Sequence, residues 1–402
     1  MVGHRVSFAG GTSRGVVLDL IRTRGPISRV ALAELTGLTQ ATMSTVVRQL
    51  LDEGLILETG RGESTGGKPP VMVDIDPYSR FAVGVQLGRE SITYVAIDLS
   101  GAIVGRTRTP GVGSTEPAEM VGRLAAEIDR TLAGLDIAKR SVLGVGVVAP
   151  GPLDLAHGAI LRSPHLSAWS NVPIRDMLST ALGLPVLLDN DATAAAIGDF
   201  WSGRLDGVTA HATVYMGTGI GAGILIDGIV FRGASSNAGE LGQVLAAADD
   251  GGPVVLEDVA APSAVVERAR STTSCARWGL TGLDEFDDFR RIALAAAHGD
   301  AEAGALIEFS AGHLAAGVLT LANLFDLDSI TLAGPGFGVA GPTYVTAISR
   351  RLETDLFARM RHGVRVRLSP DVANAAAIGG AALVMQHELA PRTMGLSSLV
   401  AR

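Results

Sequence analysis

Asn190 and Asp191 lie side by side at the start of a helix pattern, where their side chains could hydrogen-bond the hydroxyl groups of a sugar. An ionised Asp accepts hydrogen bonds, and an Asn amide both donates and accepts them. A simpler interpretation is that Asp189 or Asn190 caps the following helix. Capping accounts for a single polar residue as well as ligand binding does, but it accounts less well for the pair.

Three glycine clusters provide a second candidate for binding chemistry, at residues 84–88, 217–223 and 334–338. Tight glycine turns at strand ends allow backbone N–H groups to face phosphate oxygens. For any one cluster, a plain hairpin turn is the better interpretation. Three clusters together with the Asn-Asp pair favour a ligand-binding cleft.

The elements that would position these residues alternate between strands and helices beyond residue 76. The first round has three strands at 81–87, 91–98 and 102–106, a helix at 117–135 and a buried strand at 142–148. The second round has strands at 212–216, 221–226 and 229–232, helices at 285–298 and 302–325, a strand at 329–333, a helix at 342–360, a strand at 364–368 and a helix at 372–389. The repeated order predicts two similar α/β lobes with a cleft between them.

Residues 28–51 show a different pattern, which is typical of a helix-turn-helix. Gly37 ends the first helix and Thr39 is the N-cap of the second. The apolar stripe consists of Ala31, Leu32, Leu35, Val46, Val47 and Leu50. The outward face of the second helix carries Gln40, Thr42, Ser44, Thr45 and Arg48, which together with Thr39 are suited to reading base edges in the major groove. An ordinary helical hairpin at a domain end is the alternative.

A wing follows this motif. Residues 54–58 and 71–74 read as two strands, and the glycine-rich loop 60–68 between them carries Arg61 and Lys68, which could contact the DNA backbone. A helix at 13–24 precedes the motif, so that residues 12–76 form a winged helix-turn-helix. Residues 1–70 have a net charge of only +2, against −8 for the whole chain, which favours a dimer reading two half-sites.

Composition limits the number of domains, the redox environment and the cellular location of the protein. A chain of 402 residues with 47% hydrophobic content can form more than one domain. Cys275 is the sole cysteine, so an intrachain disulfide is excluded and a reducing cytoplasm is expected. No apolar run is expected to span a membrane, and no signal peptide is recognised at the N-terminus.

Over nearly its whole length, the chain resembles the ROK family (repressor, open reading frame, kinase) in its regulator form. The matching segments are residues 144–154, 165–173, 190–192, 217–223, 239–242 and 256–257. The resemblance implies an α/β fold in which a winged helix-turn-helix (residues 1–76) precedes a two-lobed, actin/hexokinase-like (ribonuclease H-like) sugar-kinase fold (residues 77–402). Lobe one would cover about 77–200 plus the C-terminal helix 372–390, and lobe two about 201–371.

The resemblance also implies a sugar site. The family's sugar-binding residues correspond to Asn190, Asp191, Glu240 and Glu257, and its catalytic base corresponds to Asp191. Two further positions of the family site hold His165 and Gln243, which we include as candidate ligand contacts.

Departures from the family pattern argue against catalysis. Gln86 holds the place of the acid that manages Mg²⁺ and ATP phosphates in family kinases, and Arg89 would fill the space that a phosphate-cradling glycine leaves open. Gln243 replaces the zinc-binding His, and residues 244–255 contain no cysteine. We therefore expect no kinase activity, with Asp191 as a vestigial base, and neither zinc nor ATP as a cofactor.

The expected function is a cytoplasmic transcriptional regulator that binds double-stranded operator DNA as a homodimer or homotetramer, without a membrane partner. A repressor of carbohydrate uptake or catabolism genes, with a sugar or sugar phosphate as effector, is the favoured form. The alternatives are an active ROK sugar kinase that also binds DNA, and a regulator with no sugar ligand.

Overall fold

The computed structural model describes residues 12–62, 69–161, 169–205, 207–248, 251–272 and 275–389, which form a DNA-binding-type domain and two α/β lobes. The N-terminal domain contains three helices and three short strands. Its elements are α1 (Ser13–Arg24), β1 (Ile27–Ser28), α2 (Arg29–Thr36), α3 (Gln40–Asp52), β2 (Ile56–Arg61) and β3 (Val71–Ile75). The strands form an antiparallel sheet in the order β1-β3-β2.

Local sequence chemistry sets the bounds of these helices. The side chains of Thr12, Ser28 and Thr39 each accept a hydrogen bond from a backbone N–H in the first turn of α1, α2 and α3. Gly37 ends α2 in the left-handed conformation, with φ of +71°. The turn between α2 and α3 and the N-cap of α3 agree with the sequence prediction.

Lobe one is built on a five-stranded sheet. Its elements are β4 (Phe81–Gln86), β5 (Ser91–Asp98), β6 (Ile103–Pro110), α4 (Pro117–Gly134), β7 (Val142–Ala149), β8 (Leu153–Asp154), β9 (Ala159–Ile160), α5 (Ile174–Leu182), β10 (Val186–Asn190) and α6 (Asp191–Trp201). The strand order is β10-β7-β4-β5-β6, in which β7 runs parallel to both β4 and β10.

Lobe two has an equivalent sheet. Its elements are β11 (Ala210–Met216), β12 (Ile220–Ile226), β13 (Ile229–Val230), β14 (Leu245–Ala247), β15 (Pro253–Val255), α7 (Glu257–Ala260), α8 (Pro262–Arg270), α9 (Glu285–Ala297), α10 (Ala301–Phe325), β16 (Ser329–Ala333), α11 (Gly341–Asp355) and β17 (Arg365–Leu368). The C-terminal helix α12 (Ala375–Leu389) packs on the sheet of lobe one. The order β17-β16-β11-β12-β13 repeats that of lobe one strand for strand. The predicted pair of similar lobes is therefore confirmed.

Two helices rich in alanine and glycine, α6 and α12, lie between the two sheets. A Cβ atom added at Gly84 or Gly146 of the first sheet would overlap a carbonyl oxygen of α12. A Cβ atom added at Gly223 of the second sheet would overlap the carbonyl oxygen of Ala192 in α6. Glycine is needed at these strand positions because the helices lie so close to the sheets.

Several predicted bounds need correction. The strand predicted at 102–106 continues to Pro110, because β6 pairs with β5 along its whole length. The helix predicted at 342–360 ends at Asp355, and the last helix starts at Ala375 because the side chains of Asp371 and Asn374 hydrogen-bond each other in a preceding turn. The short elements β8, β9, α5, α7 and α8 were not predicted.

We expected no apolar segment long enough to span a membrane, and this expectation is wrong. In the described part of the chain, helix α10 is both long enough and apolar enough to do so. Its buried side chains, including Leu306, Leu314 and Val318, belong to the hydrophobic core of lobe two. We therefore interpret α10 as a core helix.

Candidate functional site

A cleft of about 330 Å³ lies between the two lobes, within the size range of small-molecule sites. Lobe one contributes Pro150, Gly151, Pro152, Asn190 and Asp191, and lobe two contributes Tyr215, Thr218, Gly219, Ile220, Gly221, Asn237, Glu240, Gln243 and Glu257. Five of the six predicted ligand contacts are thus brought together. The sixth, His165, lies outside the described residues. Ligand binding by these side chains stays a prediction.

Asn190 caps the following helix, which is one of the two roles that the sequence left open. Its Oδ1 accepts hydrogen bonds from the N–H groups of Ala192 (2.9 Å) and Thr193 (3.3 Å), so it is the N-cap of α6. This bond pattern uses the carbonyl side of the amide, and the Nδ2 group keeps its two donors for a ligand.

Asp191 is the first residue of α6, and its Oδ1 accepts a hydrogen bond of 2.8 Å from the N–H of Ala192. Burial raises the pKa of Asp191 to about 6, against the lowering effect of that N–H, and the negative charge of Glu240 raises it further. A carboxyl group with such a pKa changes its charge close to neutral pH.

Two more carboxyl groups face the cleft from lobe two. Glu257 begins α7, and its Oε2 accepts a hydrogen bond of 3.0 Å from the N–H of Ile220. The pKa of Glu240 is raised by burial and by the charge of Glu257. Among the described residues that line the cleft, none is Lys or Arg. The cleft is therefore rich in acceptors and suits a ligand that donates hydrogen bonds.

Polar contacts across the cleft hold these groups in position. Arg232 of lobe two donates two hydrogen bonds, of 3.0 and 2.7 Å, to the fully buried carboxylate of Asp189. Asp189 Oδ1 in turn accepts from the N–H of Asn190 at 2.8 Å. Asn237 joins the lobes as well, by two hydrogen bonds to the backbone of Leu153. Sequence reasoning missed Arg232, Asn237 and Tyr215, for which no local motif gives a signal.

The second candidate site is the outward face of α3. All six residues predicted to read DNA from this face are exposed: Thr39, Gln40, Thr42, Ser44, Thr45 and Arg48. The opposite face packs into the domain core through Met43, Val47 and Leu50. Arg61 is exposed at the end of β2, and Lys68 lies outside the described residues.

Comparison with known proteins identifies both parts of the chain. A family model described as "ROK family" matches residues 82–387, which is more than half of the chain. This chain belongs to the ROK family. A second model, described as "MarR family", matches residues 13–59 and so covers the helix-turn-helix.

The proteins similar to this chain include a repressor, a transcriptional regulator and a kinase. The N-acetylglucosamine repressor of Escherichia coli O6:H1 (strain CFT073) is 28% identical over 381 residues, covering 93% of this chain and 92% of the relative. A crystal structure of a ROK family transcriptional regulator, a homologue of the E. coli MLC protein, has a TM-score of 0.74 at 25% identity and covers 93% of this chain and 95% of that one. A ROK family glucokinase from Streptomyces griseus, in complex with glucose and AMPPNP, has a TM-score of 0.63 at 27% identity, covering 76% of this chain and 99% of that one.

At the position of the ROK kinase acid, the structure shows a contact between the lobes. Gln86, the last residue of β4, donates a short hydrogen bond from Nε2 to the hydroxyl of buried Tyr215 on β11. A neutral amide engaged in this way offers no anionic ligand for a metal ion.

Arg89 lies in the turn after β4. Its side chain is 68% exposed and forms an ion pair with Glu90 at 3.6 Å. Its effect on phosphate binding stays a prediction.

Residues 244–255, which the resemblance matches to the zinc-binding segment of ROK proteins, include a short strand pair. Strands β14 and β15 pair there as a two-stranded antiparallel ribbon, directly after the short turn that contains Gln243. Its donor set includes neither a thiol nor an imidazole, so it does not fit zinc. Within the described ranges, no group of three or more His, Cys, Asp or Glu residues is placed to hold a metal ion. The absence of cofactors stays a prediction.

Proposed function

We propose that this ROK protein is a transcriptional repressor whose cleft binds a sugar and thereby controls the affinity of α3 for operator DNA. The cleft supports this proposal most directly, because three carboxyl groups and three amide side chains face a cavity of small-molecule size. The repressor relative and the MarR-type domain support the DNA-binding role. The target genes would be those for carbohydrate uptake or catabolism, and the protein would act in the cytoplasm.

A neutral sugar is the effector class that this cleft favours over a sugar phosphate. Sugar hydroxyl groups donate to carboxylates, and Asp191, Glu240 and Glu257 supply such acceptors. A phosphate group placed near them would be repelled, and the described lining has no cation to offset that repulsion.

DNA binding would require at least two copies of the chain. One winged helix-turn-helix reads one half-site, and the two half-sites of an operator lie about one helical turn apart. The low net charge of residues 1–70 supports this stoichiometry, because a single copy would neutralise few phosphates. The assembly would be a homodimer or homotetramer.

Kinase chemistry would be lost, with no ATP or zinc requirement. Phosphoryl transfer depends on positioned charge around Mg²⁺ and the phosphates. The Gln86–Tyr215 contact supports the loss. The second candidate function, an active kinase, is favoured by the retained Asp191 and by the likeness to the glucokinase structure. A coupled ADP-release assay over a sugar panel distinguishes the two, since the repressor proposal expects no turnover above background.

The main experiment measures sugar and DNA binding in the same preparation. Titration calorimetry would screen D-xylose, D-glucose, N-acetylglucosamine and the 6-phosphates of the latter two. Fluorescence anisotropy would follow genomic DNA fragments selected by the protein itself. We expect one neutral sugar to bind and to weaken DNA binding at least tenfold.

Variants test the assignment of the cleft. Asp191→Asn and Glu240→Gln should each weaken sugar binding at least tenfold, because each removes a charged acceptor, while DNA affinity in the absence of sugar stays within threefold of wild type. Asp258→Asn, an exposed acid next to Glu257, is the matched control and should behave as wild type. Unchanged sugar binding in both cleft variants, or no binding by any member of the panel, would refute the proposal.

A further inference from the structure

Helix α1 of the DNA-binding domain contacts the C-terminal ends of both helices that lie between the lobes. Arg14 donates from Nη1 to the carbonyl oxygen of Leu389, the last residue of α12, at 3.0 Å. Arg22 donates to the carbonyl oxygen of Trp201, the last residue of α6. Both contacts place a guanidinium at the negative end of a helix dipole, which stabilises them.

The two helices that α1 joins are packed on different lobes. Helix α12 lies on the sheet of lobe one, where Gly84 and Gly146 allow its backbone to approach. Helix α6 lies against β12 of lobe two at Gly223. Its Asp199 also accepts a hydrogen bond of 2.9 Å from Thr213 of β11, which bonds buried His211 in turn. Helix α1 therefore spans the boundary between the lobes.

The contact surface between α6 and α12 allows sliding. A Cβ atom added at Gly379 of α12 would overlap the carbonyl oxygen of Ala194 in α6, and Gly198 lies opposite the same glycine. Alanine and glycine present no long side chains that interlock. Small displacements of packed helices of this kind are a common form of domain closure.

The N-terminus of α6 belongs to the cleft, since Asn190 caps this helix and Asp191 begins it. A ligand that draws lobe two toward lobe one would displace α6 relative to α12. Arg14 and Arg22 lie roughly 12 Å apart along α1, because each residue of a helix rises about 1.5 Å. A slide of ~1–2 Å, typical of such transitions, would turn α1 by roughly 5–10°.

We infer that α1 converts lobe closure into a rotation of the recognition helix α3, through its contacts with Trp201 on one lobe and Leu389 on the other. Rotation of α1 would carry α3 with it, because Val17, Leu18 and Ile21 of α1 share one core with Met43 and Val47 of α3. This inference rests on the sugar-binding function proposed above.

The Arg22–Trp201 contact is buried but incompletely hydrogen-bonded, as expected of a contact that rearranges when the lobes move. The guanidinium lies 4.1 Å from the centre of the indole ring, and the Arg22 side chain is only 3% exposed. In the described structure, Arg22 Nε and Trp201 Nε1 are buried without a hydrogen-bond partner. Unsatisfied buried donors cost free energy, which makes this contact weaker than one in which every donor is paired.

The test removes each arginine in turn from the full-length protein, which also removes the ion pairs of Arg14 with Glu53 and of Arg22 with Asp19. Arg22→Met and Arg14→Met keep an apolar stem and remove the guanidinium, and Arg290→Met, an exposed arginine of α9 paired with Asp287, is the matched control. We expect sugar affinity to stay within threefold of wild type in all three. The sugar-induced change in DNA affinity should fall at least fivefold in the two α1 variants and remain intact in the control.

A second measurement follows the movement itself. In a Cys275→Ser background, spin labels at Glu34→Cys on α2 and Glu119→Cys on α4 report the distance between the DNA-binding domain and lobe one. The distance distribution should shift when the sugar that binds in calorimetry is added, and the Arg22→Met substitution should remove the shift. This distance measurement uses only the Arg22→Met substitution, so it remains valid even if Arg14→Met destabilises the fold.

The outcomes separate the two proposals. If wild-type protein binds no sugar, the proposed function fails and this inference fails with it. If wild-type protein binds sugar and releases DNA, but both α1 variants respond fully or the label distance does not change, the role of α1 alone is wrong.

Discussion

At the scale of single residues, Asp191 carries a stability cost that its proposed role in ligand binding would explain. Its pKa is about 6 in the fold, against 3.8 ordinarily, because burial and Glu240 disfavour the charged form. The folded state therefore binds the proton more tightly than the unfolded chain does, and the free energy of unfolding falls as pH rises from about 4 to about 6. At neutral pH the ionised side chain destabilises the protein.

Replacing this residue should reverse that cost. We predict that Asp191→Asn raises the free energy of unfolding by about 1–2 kcal/mol at neutral pH, below the ~3 kcal/mol that the full shift would give, because the site is partly open to water. The gain should shrink as pH falls from about 6 to about 4 and vanish near pH 3, below both pKa values, where Asp191 is protonated in both states. Urea unfolding across this pH range measures the difference, and a gain independent of pH would contradict the assigned cause.

At the scale of elements, the helix pair α6 and α12 depends on glycine at position 379. We predict that Gly379→Ala lowers the free energy of unfolding by about 2–3 kcal/mol, since the added Cβ would overlap the carbonyl of Ala194. Gly122→Ala in α4 is the control, because no atom lies within 4 Å of its added Cβ. That change should stabilise the protein by about 0.5–1 kcal/mol. Equal effects of the two substitutions in urea titrations would show that the close approach is unimportant.

The elements also show what the sequence could predict. Strand alternation and the Gly37–Thr39 turn are local signals, and they identified the two lobes and the helix-turn-helix correctly. The Asn190-Asp191 pair is also local, and it led to the cleft. The Gln86–Tyr215 and Asp189–Arg232 contacts join residues 129 and 43 positions apart, so no short pattern could pair them. Helix α7 was missed because its four residues are too few to show a period. Helix α5 does show helical spacing, in Ile174, Leu178 and Leu182, and this local signal was overlooked.

At the scale of the whole molecule, the buried Asp189–Arg232 pair is a principal contact between the lobes. Its carboxylate is fully buried and the Arg232 side chain is 8% exposed, so neither charge has much access to water. The charge of Asp189 favours the cationic form of Arg232 and raises its pKa, against the lowering effect of burial. Removing only one partner would leave the other charge uncompensated inside the protein.

We predict that Arg232→Met lowers the free energy of unfolding by about 3–5 kcal/mol, the range for one broken buried pair. Adding Asp189→Asn should recover at least half of that loss, because the neutral amide removes the buried charge and its Oδ1 can still accept from the N–H of Asn190. Guanidinium unfolding of the two single variants and the double variant gives the coupling energy. If the double variant is as unstable as the sum of the single variants, the two side chains do not interact and lobe closure depends on other contacts. If the coupling is present, calorimetry should also show weaker sugar binding in Arg232→Met, since Asp189 positions Asn190 at the cleft.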